Sequence, residues 1–173
     1  MYETIPHQGV PPIPWYVRLL ENPASPVALA GAVDLFEHDC IHIVLGRGTL
    51  PQDEAFVIGF TMGSSERLSP LQHGLFALCS RYVYRGDYRF SQMDRRVFDI
   101  AVELAKRMKP RPLDRVSFGS LMDGQLGKLR ASLGLDTRQL REAYERERGL
   151  WPGSPAAVRL PRPLAAAESR AGI

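Results

Sequence analysis

His38, Asp39 and His42 sit at a spacing suited to one helical face, and Glu54 follows after eleven further residues. On a helix each residue advances by about 100°. His38 and His42 then lie one above the other, and Asp39 falls on the neighbouring strip. Glu54 joins them only if the chain turns back within a few residues and opens a second helix beside the first. The pattern therefore demands a helix, a short antiparallel return and another helix.

Two imidazoles and two carboxylates suit Zn²⁺, Fe²⁺, Mn²⁺ or Co²⁺. No cysteine pair takes part, which argues against a closed structural zinc site of the finger type. A mixed nitrogen and oxygen site more often keeps a position open for water or substrate. The plain alternative is a pair of polar core histidines, each hydrogen-bonded to a neighbour, with Glu54 merely complementing the positive end of a helix. Histidine is scarce, with four in 173 residues, and two of them fall in this motif, which favours the metal reading. Asp34, one turn before His38, is either a partner that orients an imidazole or a surface helix residue. His73 reads as a surface or satisfied core histidine.

Helix punctuation is frequent. Ser25-Pro26 predicts an N-cap and first turn, with a helix from Pro26 to Leu45 that Gly46 stops. Being apolar on several sides, it is expected to be central and buried. Thr49 and Gln52 around Pro51 resemble a capping box for a second helix over Leu50 to Met62. Ser69-Pro70 opens a third helix that Gly86 ends. Ser91 with Asp94 caps a fourth, whose stripe of Met93, Val97, Ile100, Ala101, Leu104 and Met108 is strictly amphipathic. A fifth helix is expected from Ser120 to Leu133. A sixth, Thr137 to Arg148, is so charged that it reads as solvated or as an interface. The fold class is all-α, a compact orthogonal bundle of about six helices. Residues 1–14 read as an extended Pro-rich arm, 15–149 as one helical metal-binding domain, and 150–173 as a disordered Pro/Ala/Arg-rich tail.

Composition excludes more than it assigns. Hydrophobic residues make up 45% and charged ones 24%, an ordinary globular balance. The net charge of +3 is compatible with an anionic partner or membrane surface. The run Lys106, Arg107, Lys109, Arg111 and Arg115 fits anionic head groups or a diphosphate as well as it fits a solvated helix end. Cys40 and Cys79 form no disulfide framework and read as reduced core residues. No signal peptide or membrane span is visible, so the expectation is an intracellular protein with at most peripheral membrane attachment. No recognition motif for nucleic acid appears.

The spacing HDxxH-x11-E, here His38-Asp39-Cys40-Ile41-His42 and then Glu54, resembles the signature of the coenzyme Q biosynthesis protein 4 family. Ile43-Val44-Leu45-Gly46 is similar to that family too. So are the long helix running into Lys106-Arg107-Met108-Lys109-Pro110 and the later Lys128-Leu129-Arg130 and Leu133-Gly134. The resemblance spans residues 15 to 145, strongest at the motif, and is to a divergent, N-terminally short member. Glu54 follows Asp53 where the family commonly has Gly. The resemblance implies an all-α fold, a divalent metal (zinc before iron, manganese or cobalt) held by His38, Asp39, His42 and Glu54, and a channel for a polyprenyl tail. It implies C1 decarboxylation with oxidation of a polyprenyl hydroxybenzoate in ubiquinone biosynthesis. Peripheral attachment to the inner face of the cytoplasmic or mitochondrial inner membrane, and association with other quinone-biosynthesis proteins, also follow from it.

Two other readings compete. A non-catalytic isoprenoid-binding scaffold would use the ion only to join two helices. An HD-type metal phosphohydrolase also places a His-Asp doublet on a helix, but it needs a further upstream histidine and a distant aspartate. His7 is a poor candidate for the first, and nothing marks Asp87, Asp94 or Asp99 as the second.

Overall fold

Asp34 sets where the first described helix begins. Its extended backbone (φ −74°, ψ 170°) and its carboxylate, which accepts the Glu37 N–H at 2.9 Å, make it the N-cap of α1, Leu35–Leu45. The computed structural model describes residues 31–66 and 91–161. One helix from Pro26 to Leu45 is therefore not what forms. Gly31 has φ +85°, a left-handed conformation whose missing Cβ would meet the Met62 backbone at 2.8 Å, and residues 32–34 are non-helical. The predicted start at Ser25-Pro26, the arm over 1–14, the helix opened by Ser69-Pro70, Cys79 and His73 lie outside the described residues.

Gly46 ends α1 in the left-handed region (φ +67°), as its position predicted, and its N–H returns to the carbonyls of His42 and Ile43. The last carbonyls of α1 find other donors. Arg130 Nε donates to Val44 O at 2.7 Å, and the buried Tyr144 hydroxyl donates to Leu45 O. Pro51 then opens α2, Pro51–Ser64. The cap differs from the Thr49–Gln52 box expected of it. Asp53 Oδ2 accepts the Leu50 N–H at 3.2 Å, and Gln52 turns inward.

Four further helices complete the all-α bundle among the described residues: α3 Gln92–Met108, α4 Leu126–Ser132, α5 Thr137–Leu150 and α6 Pro155–Arg159. Two 3₁₀ turns, Leu113–Arg115 and Phe118–Leu121, link α3 to α4. The second occupies part of the segment expected to be a longer fifth helix. Ser91 and Asp94 cap α3 reciprocally, as their spacing predicted.

The centre of the molecule is α2, not α1. Ala55, Phe56, Val57, Phe60 and Met62 are all buried, whereas Leu35, Phe36 and Ile43 of α1 stand 69%, 49% and 58% exposed. Val97, Phe98, Ala101, Val102, Leu104 and Ala105 bring α3 against α2. The two backbones approach closely because Gly59 and Gly63 lie one turn apart on the contact face. A Cβ at Gly59 would meet Phe98 O at 2.5 Å, and one at Gly63 would meet Val102 O at 2.8 Å.

The charged helix α5 is a core element, contrary to its composition. Leu140, Ala143, Tyr144 and Glu147 make a buried i, i+3, i+4, i+7 stripe. Glu147 has no exposed side-chain surface and receives Arg47 Nη1 and Nη2 in a fork, both at 2.9 Å. Arg47 Nε faces Asp53 Oδ1 at 3.2 Å, and its guanidinium lies 4.4 Å from the Phe56 ring centroid. Gln52 donates to Glu147 and accepts from Ser154. The tail expected from residue 150 starts instead as an ordered segment. Ser154 caps α6, and Ala156, Ala157 and Leu160 are buried.

Three stability outcomes follow from this packing. Gly59→Ala forces α2 and α3 apart and is expected to cost about 1–3 kcal/mol in a denaturant titration. Gly127→Ala, on open α4 surface with nothing within 4 Å of the new Cβ, is expected to be neutral or stabilising by about 0.5–1 kcal/mol. Glu147→Gln leaves the buried Arg47 charge with Asp53 alone as counter-ion and is expected to cost about 3 kcal/mol.

Candidate metal centre

Three of the four predicted donors meet. His38 and His42 project from one face of α1, and the short turn through Gly46 and Pro51 brings the start of α2 back beside them. His38 Nε2 lies 3.0 Å from Glu54 Oε2, and His42 Nε2 lies 3.4 Å from Glu54 Oε1. The two Nε2 atoms are 3.0 Å apart. One donor atom from each residue falls within 4.8 Å of the others, a cluster suited to a metal ion. A tetrahedral ion with bonds of about 2.0–2.1 Å sets neighbouring donors about 3.3 Å apart, so the residues present fit such an ion closely.

The hydrogen-bond chemistry points the same way. His42 Nδ1 is 2.6 Å from the carbonyl oxygen of Gly48. A carbonyl only accepts, so Nδ1 carries the hydrogen. In the neutral ring Nε2 then presents its lone pair to the cluster. That lone pair and the Glu54 carboxylate converge on the same volume, where a cation satisfies both. A ligand imidazole donating its other N–H to a backbone carbonyl is the usual support of a metal-bound histidine.

Asp39 stands apart. It is exposed on the adjoining strip of α1 and is not among the converging donors. Its negative charge is nonetheless felt at His42. Asp34 is likewise committed elsewhere, its carboxylate capping α1. Among the described residues no further histidine, cysteine or carboxylate joins the group. Asp94 serves as a helix cap, and Asp99 is exposed on α3.

Burial is uneven across the cluster. His42 is 7% exposed, while His38 and Glu54 are 25% and 31% exposed, so the centre opens to solvent on their side. Burial opposes the charge on Glu54, but without a metal the hydrogen bonds and positive charge of His38 and His42 in their charged forms outweigh it and hold the carboxyl down at about 2. Burial also lowers His42. The hydrogen bond and charge of Glu54, the Gly48 carbonyl and the charge of Asp39 together overcome it and leave the imidazole raised.

Sequence reading missed the layer behind the ligands. Arg47 follows the helix stop, Gly48 supplies the carbonyl, and Asp53 directly precedes Glu54. Arg159 Nη2 meets Asp53 Oδ2 at 2.9 Å. Its partners lie about a hundred positions away in sequence, which no local spacing signals. The one available sign was Ser154-Pro155, the same helix-start dipeptide as Ser25-Pro26.

No protein-family model, curated protein or solved structure matches the chain. No helix among the described residues is long and apolar enough to cross a membrane.

The two titrations have opposite signs. Glu54, about 2 in the fold against 4.5 ordinarily, contributes stability that is full above about 4.5 and is lost as pH falls toward 2. His42, raised above its ordinary 6.5, contributes stability that is full below that value and is lost as pH rises through its folded pKa. Metal binding requires the deprotonated Nε2 and runs the other way. The melting temperature gained on adding Zn²⁺ is therefore expected to grow from about pH 6 to about pH 8, read by thermal scans with metal and with chelator. A gain independent of pH would exclude His42 as a ligand.

Proposed function

We propose that this chain binds a divalent metal, zinc first among the candidates, through His38, His42 and Glu54, and presents it to a polyprenylated ring substrate in ubiquinone biosynthesis. The observation that carries the proposal is the convergence of two Nε2 atoms and one carboxylate from two helices. It is joined to the resemblance of the motif to the coenzyme Q biosynthesis protein 4 family. Three protein ligands leave a tetrahedral ion one position for water or a substrate oxygen. The ion would supply Lewis-acid polarisation of a ring oxygen or carboxylate during loss of the C1 carboxyl. The chain's own residues hold it: His42 through its fixed tautomer, Glu54 as a permanent anion, and His38 at the solvent-facing side. Asp39 adds negative charge beside the site without entering the cluster.

Support for an apolar partner comes from the same helix. Leu35, Phe36 and Ile43 are exposed on α1, and Met122 and Leu126 are exposed on the segment after the Phe118–Leu121 turn. That turn packs against α1, with Gly119 beside Phe36 and the Phe118 N–H donating to Glu37 Oε2 at 2.9 Å. Exposed apolar side chains on the helix that carries His38 and His42 suit an isoprenoid tail or a bilayer surface.

Elemental mass spectrometry of the purified protein tests the core of the proposal. Near-stoichiometric metal is expected in the wild type, with loss of most of it in Glu54→Ala. No metal in the wild type after reconstitution would sink the reading. Metal with a co-purifying isoprenoid but no turnover of a polyprenyl hydroxybenzoate would leave the scaffold reading. Nucleotide hydrolysis would favour the phosphohydrolase.

A further inference from the structure

Gly48 lies beneath a roof that does not come from its own helices. A Cβ placed there would meet Asp53 Oδ2 and Arg159 Nη2, each at 2.9 Å, and Arg159 Nη1 at 3.1 Å. The Asp53–Arg159 ion pair therefore closes directly over the peptide whose carbonyl receives the His42 Nδ1–H. The same peptide is flanked by Arg47, which Glu147 and Asp53 hold from α5 and α2. Ser154, at the start of α6, donates to Gln52, which in turn donates to Glu147. Arg159, Ser154 and Glu147, all from residues 147–159, thus pack behind Gly48 together with the local residues Arg47, Gln52 and Asp53.

We infer that Arg159 is a positioning residue for the metal centre: by closing over Gly48 it fixes the carbonyl that selects the His42 tautomer and aims Nε2 at the ion. The C-terminal segment then belongs to the centre's function although it touches no ligand atom. Arg159 suits this role because its side chain is 55% exposed, whereas Asp53 is 1% exposed. The pair lies at the edge of the buried cluster, where it can be removed without opening the core. Linkage makes the effect reciprocal: whatever factor Arg159 adds to metal affinity, the metal adds to the docking of α6.

The inference depends on the metal reading for only one of its two readouts. The first is the nitrogen-proton correlation spectrum of the His42 imidazole in metal-free protein near pH 8. It distinguishes Nδ1–H from Nε2–H directly. Wild type is expected to show a single Nδ1–H tautomer. Arg159→Ala is expected to show a mixture while keeping its helical circular dichroism. Arg159→Lys, which retains the charge on Asp53, is expected to return toward the single form. The second readout is Zn²⁺ affinity by chelator competition, expected to weaken about tenfold in Arg159→Ala and to recover in Arg159→Lys. An unchanged tautomer in Arg159→Ala, or a mixed tautomer with unchanged Zn²⁺ affinity, would overturn the inference. If wild type bound no Zn²⁺ yet Arg159→Ala still lost the single tautomer, the metal reading would fall while the positioning of His42 stood.

Discussion

The guanidinium of Arg47 is the interaction on which the rest of this structure depends. It sits at the turn between α1 and α2, without exposed surface, and is gripped by Glu147 and Asp53 while lying over Phe56. A buried ion cluster is weak evidence of net stability, because desolvating the charges costs several kcal/mol each. Its value here is geometric. A planar fork held by carboxylates from two helices restricts the arrangement of the turn, and the turn carries Gly48.

Around that point the structure separates two tasks. Cohesion comes from the close approach of α2 and α3 through Gly59 and Gly63. The His38–His42–Glu54 cluster sits on the margin, where α1 turns one face to the core and leaves another in solvent. Phe36 and Ile43 can remain exposed because α2, not α1, supplies the centre of the core. The imidazole of His42 belongs to both zones, buried enough to be rigid and open at Nε2 through its neighbours.

Much of this was legible in the chain. Gly46, Pro51 and the Ser91–Asp94 pair mark helix ends by local backbone chemistry, and local chemistry is what a sequence displays. The i, i+4 histidines and the short return to Glu54 were legible for the same reason. The start of α1 was misread because Ser25-Pro26 is as good a cap as Asp34, and only Gly31 (φ +85°) decides between them. The burial of α5 was hidden because one of its four core positions is Glu147, a residue that reads as solvated until its partner is known. Asp39 looked equivalent to the histidines on a helical wheel, but the wheel does not say where the neighbouring helix lies.

Separation along the chain adds a temporal dimension. The clustered residues His38 and Glu54 are 16 residues apart, whereas Arg47 and Glu147 are separated by 100. Local pairs close quickly and distant ones late. A chain emerging from the ribosome can therefore bring His38, His42 and Glu54 together well before residues 147–159 exist to pack behind them. The cluster can form first, and the last of the described helices is the one that closes over Gly48.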